Sequence, residues 1–250
     1  MAITELFEAG KPGFGIITDW TELPFLEMTV LSKPQYVVLD DEHREASPEA
    51  KERFLSVVQG AGIPAVIRVP EFQINTIGRV FEVGFDGIII PHIESAEVLD
   101  EVMKNVYFPP KGARGIGQAR GNMYYSSMDT KGYVDYVNSN NWIIAQIESP
   151  KGVENAEEIV SHDGVAAIMV GPRDLSTELG MPGDFFCDEV QAQIERIRDV
   201  CAKYNKTLIM PCGTGAFERY KAKNIKHFLV SAGPLYFNAA KNAAKLAYEE

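Results

Sequence analysis

Short runs of apolar, largely β-branched residues recur along the chain: Gly13–Thr18, Tyr36–Leu39, Ala65–Val69, Gly87–Ile90, Trp142–Ile147, Ala166–Val170, Thr207–Met210 and His227–Ser231. Each is apolar at consecutive positions rather than alternate ones, which predicts strands covered on both faces, as in a parallel sheet. Between them lie segments of helical spacing, such as SPEAKERFLSVVQGAG and DEVQAQIERIRDVCAKYN. The first carries its own boundaries, with Ser47 as N-cap, Pro48 in the first turn, and Gly60 and Gly62 beyond the last. Eight β–α units within 250 residues predict one (β/α)8 TIM barrel, residues 1–250 forming a single domain, with a doubly wound open sheet as the competing arrangement. The interval from Ile90 to Trp142 is about twice the others, so the loop after the fourth strand should carry extra structure, including FPPKGARGIGQARGNMYY.

Composition narrows the setting. No Pro-, Gly- or Ser-rich tract divides the chain. The formal net charge of −11 argues against nucleic acid and anionic membranes as partners, since neutralising phosphates requires clustered Lys and Arg. The N-terminal stretch MAITELFEAGKPGFG lacks a basic segment followed by a long apolar one, and no run approaches the roughly 20 residues of a membrane span, so a soluble cytoplasmic protein is expected. Cys187, Cys201 and Cys212 are widely spaced and form no CxxC pair, which fits reduced thiols rather than a disulfide frame or zinc site.

Charged residues gather where the apolar runs end, and in a barrel of this kind the C-terminal strand ends carry the chemistry. The second run is followed by LDDEH, with Asp40, Glu42 and His43. The third ends on Arg68, the fifth on Gln146 and then Glu148, and the sixth leads through Gly171, Pro172 and Arg173 to Asp174. Carboxylates on adjacent strands, Glu148 and Asp174, suit a hard divalent cation, magnesium or manganese, with open positions for water or substrate. The bland alternatives are that Glu148 caps the following helix and that Asp174 caps a turn. His43 has the side chain whose pKa suits proton transfer near neutrality, oriented by Asp40 or Glu42, or else it is a surface histidine. Arg68 suits a carboxylate or enolate oxygen. His92, also beyond a strand, reads as a bystander at the rim. GARGIGQARG is a weak match to a phosphate loop and reads better as a loop shaped over the rim. No strand contains a lysine, and Lys151 lies beyond the fifth in a turn, which argues against an imine mechanism.

With these residues together, the chain resembles the HpcH/HpaI aldolases, class II pyruvate aldolases related to citrate lyase β-subunits. LDDEH, VIRVPE, VGFDGIIIPHIESAEVLDEV, YFPPKGARGIG, AQIESPKGVENAEEI and DGVAAIMVGPRDLSTELG carry the likeness. The resemblance implies a (β/α)8 barrel, often hexameric, whose last helix packs on a neighbouring subunit. It implies that Glu148 and Asp174 bind a divalent metal, magnesium, manganese or cobalt. His43 with Asp40 would be the acid/base pair, and Arg68 would hold the pyruvyl oxygen. Gln146 would line the pocket, and backbone around Gly171, Pro172, Arg173 and Asp174 would hold the substrate carboxylate. The implied reaction is reversible cleavage of a 4-hydroxy-2-oxo acid to pyruvate and an aldehyde. A lyase of coenzyme A thioesters and a non-catalytic barrel that binds an oxo acid are the alternatives. Arg173 stands where the family pattern is small or uncharged, and the first-strand region, GIITDWTELPFLEM, fits the pattern poorly.

Overall fold

A computed structural model describes residues 6–70, 74–117, 119–121 and 128–248. Eight parallel strands close into a barrel in sequence order: β1 (Gly13–Thr18), β2 (Tyr36–Asp40), β3 (Ala65–Arg68), β4 (Gly87–Ile90), β5 (Trp142–Ile147), β6 (Ala167–Val170), β7 (Thr207–Pro211) and β8 (His227–Ser231). Their limits lie within one residue of the apolar runs. β1, whose sequence departs from the family pattern, pairs with β2 and β8 like any other strand. The open-sheet alternative is thereby excluded.

Successive side chains on each strand point to opposite sides, so one apolar run fills two cores. The barrel interior takes Ile17, Tyr36, Val38, Val66, Ile89, Trp142, Ile144, Ala167, Met169, Ile209 and Leu229. The intervening residues, such as Val37, Leu39, Ile67, Ile88, Ile143 and Val170, pack against the helices. The helix Pro48–Gly60 starts as its sequence indicates, with Ser47 Oγ accepting from Ala50 N at 3.2 Å. Gly60 belongs to its last turn, and the left-handed residue beyond is Gly62, at φ 74°.

The N-terminal mouth is sealed by rings. Phe7 stacks edge-on to Tyr36 and Trp142, with centroids 5.7 and 5.1 Å away, and lies against the His227 imidazole. His227 Nε2 is 3.1 Å from the Tyr36 hydroxyl, and burial pushes its pKa down to about 4. Gly13 is required here, because a Cβ would overlap the His227 ring.

The long connection after β4 contains the helices Ala96–Val106 and Thr130–Asn140. Its glycine–arginine stretch does not arch over the rim as expected, at least in the part that is described. Gly121 N donates to Glu82 O at 2.7 Å, and Arg120 Nη1 donates to Gln59 Oε1 at 3.0 Å, on the flank toward the N-terminal mouth. Residues 118 and 122–127 of that stretch lie outside the described residues. Among the described residues, no helix is long and apolar enough to cross a membrane.

Candidate active site at the C-terminal rim

The alternation that fills the barrel also delivers the site. Continued past Val38, the inward parity of β2 gives Asp40; past Val66, that of β3 gives Arg68. On β5 it passes Ile144 to Gln146 and then Glu148, and on β6 it passes Met169 to Gly171. Polar groups therefore replace apolar ones on the inward face where the strands run out.

Asp40 and Arg68 are register partners on β2 and β3. The guanidinium grips the carboxylate twice, Nε to Oδ1 at 2.9 Å and Nη2 to Oδ2 at 2.6 Å. Its Nη1 stands 2.6 Å from Glu42 Oε2. Arginine has five N–H donors, so this side chain can hold both acids and still offer hydrogens to an oxygen in the mouth.

Glu148 is buried, its side chain wholly inaccessible. Oε1 accepts the backbone N–H of His92 at 2.8 Å and lies 3.3 Å from His92 Nδ1. Oε2 accepts from Gln146 Nε2. Gly171 backs onto this carboxylate so closely that a Cβ would overlap Oε2. Burial pushes Glu148 up to about 7, while the bonds from Gln146 and His92 pull against it. Glu42 is also raised, first by burial, with Arg68 opposing and the charges of Asp40 and Asp174 adding to the rise.

His92 reaches Glu148 across 56 residues of sequence because the loops after β4 and β5 are braced together. Ile93 N donates to Gln146 O at 3.1 Å. The Glu94 carboxylate accepts from Ser149 Oγ at 2.7 Å and from Lys151 Nζ at 2.9 Å, while Asn155 Nδ2 donates to Glu94 O at 2.7 Å. His92 itself adopts φ 53°, a left-handed conformation uncommon outside glycine that asparagine, aspartate and histidine adopt more readily than other residues.

Glu42, His92 and Glu148 each present a donor atom within 4.8 Å of the others. Beside them Gln146 Oε1 is buried with no hydrogen-bond partner. Two carboxylates that desolvation disfavours as anions, an imidazole and an orphaned amide oxygen form a donor set that fits a divalent cation.

Among the residues singled out from sequence, Asp40, Arg68, Gln146, Glu148 and Gly171 converge. His43 is 70 % exposed and lies 3.5 Å from Glu42 Oε2 through Nε2. Its neighbouring acid is Glu42 rather than Asp40, through the same oxygen that faces Arg68 Nη1. Arg173 and Asp174 are exposed in the first turn of the helix Pro172–Glu178, with Asp174 near enough to shift Glu42. The cap of the helix after β5 is Ser149, whose Oγ accepts from Gly152 N, and not Glu148. Lys151 is paired with Glu94, which raises its pKa, so it is protonated. His92, read from sequence as a bystander, faces the cluster. The available signal was its offset: it lies two residues past the end of β4, as Glu42 lies two past the end of β2.

A closed parallel barrel with acids, a guanidinium and imidazoles on its C-terminal rim defines a (β/α)8 enzyme with chemistry at the strand ends. Residues 24–211 match the profile of HpcH/HpaI aldolase/citrate lyase proteins, and the chain belongs to that family. A 5-keto-4-deoxy-D-glucarate aldolase of Klebsiella pneumoniae subsp. pneumoniae is 34% identical over 181 residues, 72% of this chain and 70% of that relative. The crystal structure of an HpcH/HpaI aldolase from Desulfitobacterium hafniense DCB-2 superposes with a TM-score of 0.87 at 24% identity, covering 96% of this chain and 95% of the other. A family protein from Burkholderia cenocepacia J2315 superposes at 0.88 with 23% identity, covering 98% and 97%. The family match begins after β1, so the poor fit of the first strand is a difference of sequence within an unchanged fold.

Proposed function

We propose that the protein reversibly cleaves a 4-hydroxy-2-oxo acid to pyruvate and an aldehyde, with a divalent cation, magnesium, manganese or cobalt, as cofactor. The observation that carries this reading is the buried Glu148 carboxylate facing His92 and Glu42, beside an arginine with donors to spare. Glu148, with Asp174 from the next loop, would hold the cation. A bound cation supplies Lewis-acid stabilisation of the charge that develops on the 2-oxo oxygen. Arg68 adds N–H donors to that oxygen, and Asp40 keeps its fork from turning away. Gln146 lines the pocket. The turn Gly171-Pro172-Arg173-Asp174 offers backbone to the substrate carboxylate, with Pro172 fixing its course. His43 takes the proton from the C4 hydroxyl through a water, as its exposure suits, and Glu42 steadies its ring. When the C3–C4 bond breaks, its electron pair passes to the pyruvyl half, and the proton is returned at C3.

An imine route is disfavoured, since the strands carry no lysine and Lys151 is held protonated on Glu94. The test needs no knowledge of the aldehyde. Pyruvate with enzyme and magnesium or manganese in heavy water should lose its methyl proton signal, because enolate formation is the half-reaction shared by every aldehyde partner. If pyruvate binds yet keeps its protons with every cation tried, the aldolase reading fails.

The working unit is proposed to be a homo-oligomer, a hexamer as the resemblance implies. The last helix, Ala232–Tyr248, has no buried residue and exposes Leu235, Tyr236, Phe237, Leu246 and Tyr248, an apolar surface suited to a second copy. Sedimentation velocity reads the outcome directly, and a monomer would refute it. The three free thiols accord with a cytoplasmic location.

A further inference from the structure

We infer that the His92 imidazole is a ligand of the cation, giving this rim a mixed nitrogen and oxygen donor set in place of carboxylates alone. The inference rests on the cation proposed above and concerns which atoms hold it. The ring is already placed for the task. Nδ1 lies 3.3 Å from Glu148 Oε1, and with one ligand atom taken from each residue, Glu42, His92 and Glu148 lie within 4.8 Å of one another. Metal–ligand bonds of about 2.1 Å put neighbouring donors roughly 3 Å apart and opposite ones about 4 Å apart. The two carboxylates are not free to swing toward another centre. Glu42 is drawn to Arg68 through Oε2, leaving Oε1 toward His92, and Glu148 is pinned by Gln146 and by the His92 amide. The left-handed backbone at His92, braced through Ile93 and Glu94, is what turns this side chain onto Glu148.

The consequence is chemical. Oxygen donors alone favour magnesium or calcium, whereas an imidazole shifts preference along the divalent series toward manganese, cobalt and zinc. Removing this nitrogen should therefore weaken zinc or cobalt by ~100-fold and magnesium by less than ~10-fold.

The test reads the metal rather than turnover. Chelator-stripped enzyme is reloaded with manganese, and pulsed electron paramagnetic resonance looks for a directly bonded nitrogen, with 15N-histidine labelling to identify its source. We expect a histidine nitrogen that persists in His43→Gln and disappears in His92→Asn, a replacement that tolerates the left-handed backbone. Calorimetric titration of the same variants should show the selective loss of zinc affinity. Manganese bound with no nitrogen coupling in the wild-type protein, or with coupling that survives in His92→Asn, would overturn the inference and leave the cation intact. Failure of wild-type protein to bind any divalent ion would remove the cation itself.

Discussion

The two histidines that face the barrel axis sit in opposite settings. His227, at the N-terminal mouth, is packed among Phe7 and Tyr36, and burial holds it neutral. His92, at the C-terminal mouth, is 59 % exposed at its side chain and lies between two carboxylates that burial has made reluctant anions. The same strands thus end in a dry seal on one side and an under-compensated charge cluster on the other. The seal contributes stability, while the cluster carries a cost that a proton or a cation would relieve.

The largest expected break in this contrast is Glu148→Gln. It should abolish divalent binding and slow pyruvate proton exchange by ~1000-fold or more, as removal of a Lewis acid implies. The metal-free variant should stay folded, because a buried charge has been removed. Retained exchange with a normal circular dichroism spectrum would displace Glu148 from its role.

The second test uses pH, which should act on the two mouths with opposite sign in metal-free protein. His227 has a folded pKa below its ordinary value. Its contribution is therefore complete above pH 6.5 and lost as pH falls through about 4. Glu148 has a folded pKa above its ordinary value, so its contribution is complete below pH 4.5 and lost as pH rises through about 7. Each slope approaches about 1.4 kcal/mol per pH unit within its window, and in the wild type the two oppose each other. Urea denaturation across pH 4–7.5 should show stability rising with pH in Glu148→Gln and falling in His227→Gln. Parallel profiles would mean that neither group titrates as its surroundings imply.

A smaller effect is expected from Gly171→Ala, whose Cβ would push on Glu148 Oε2. Displacement of a reacting group by about 1 Å slows turnover by ~100-fold, and because the new Cβ would also meet Glu148 Cβ, the melting temperature should fall as well. Near-normal turnover would show that Glu148 can yield. The smallest is Arg173→Ala. If this exposed guanidinium meets an anionic aldehyde, the variant should lose ~10-fold in kcat/KM on charged aldehydes and little on neutral ones. Equal losses on both would deny it any part in selection.

The barrel was legible because an interior strand must be apolar on both faces, which leaves an unbroken run that needs no alignment to see. Glu148, Arg68 and Gln146 were legible for the complementary reason that each interrupts such a run at its C-terminal end. What escaped depends on pairings distant in sequence. Register alone places Arg68 between Asp40 and Glu42, and His43 then meets the Glu42 oxygen that the guanidinium already holds. The role of His92 depends on a left-handed backbone and a brace from Glu94 to the next loop, neither of which local composition encodes. The break of one predicted helix into Pro150–Glu154 and Ala156–Ser161 likewise had no turn residue stronger than Asn155 to announce it.

Closing the ring joins Gly13 to His227 and Phe14 to Phe228, while Thr207 Oγ1 reaches Phe7 O from 200 residues away. Every other strand pair is sequential, so this seam alone demands that the two ends of the chain meet. Loop-closure entropy makes that encounter the slow one. Folding should then accumulate an open, arc-shaped sheet with two unsatisfied edges before the seam zips. The hazard for this protein lies in that interval, when edges exposed on separate chains can find one another first.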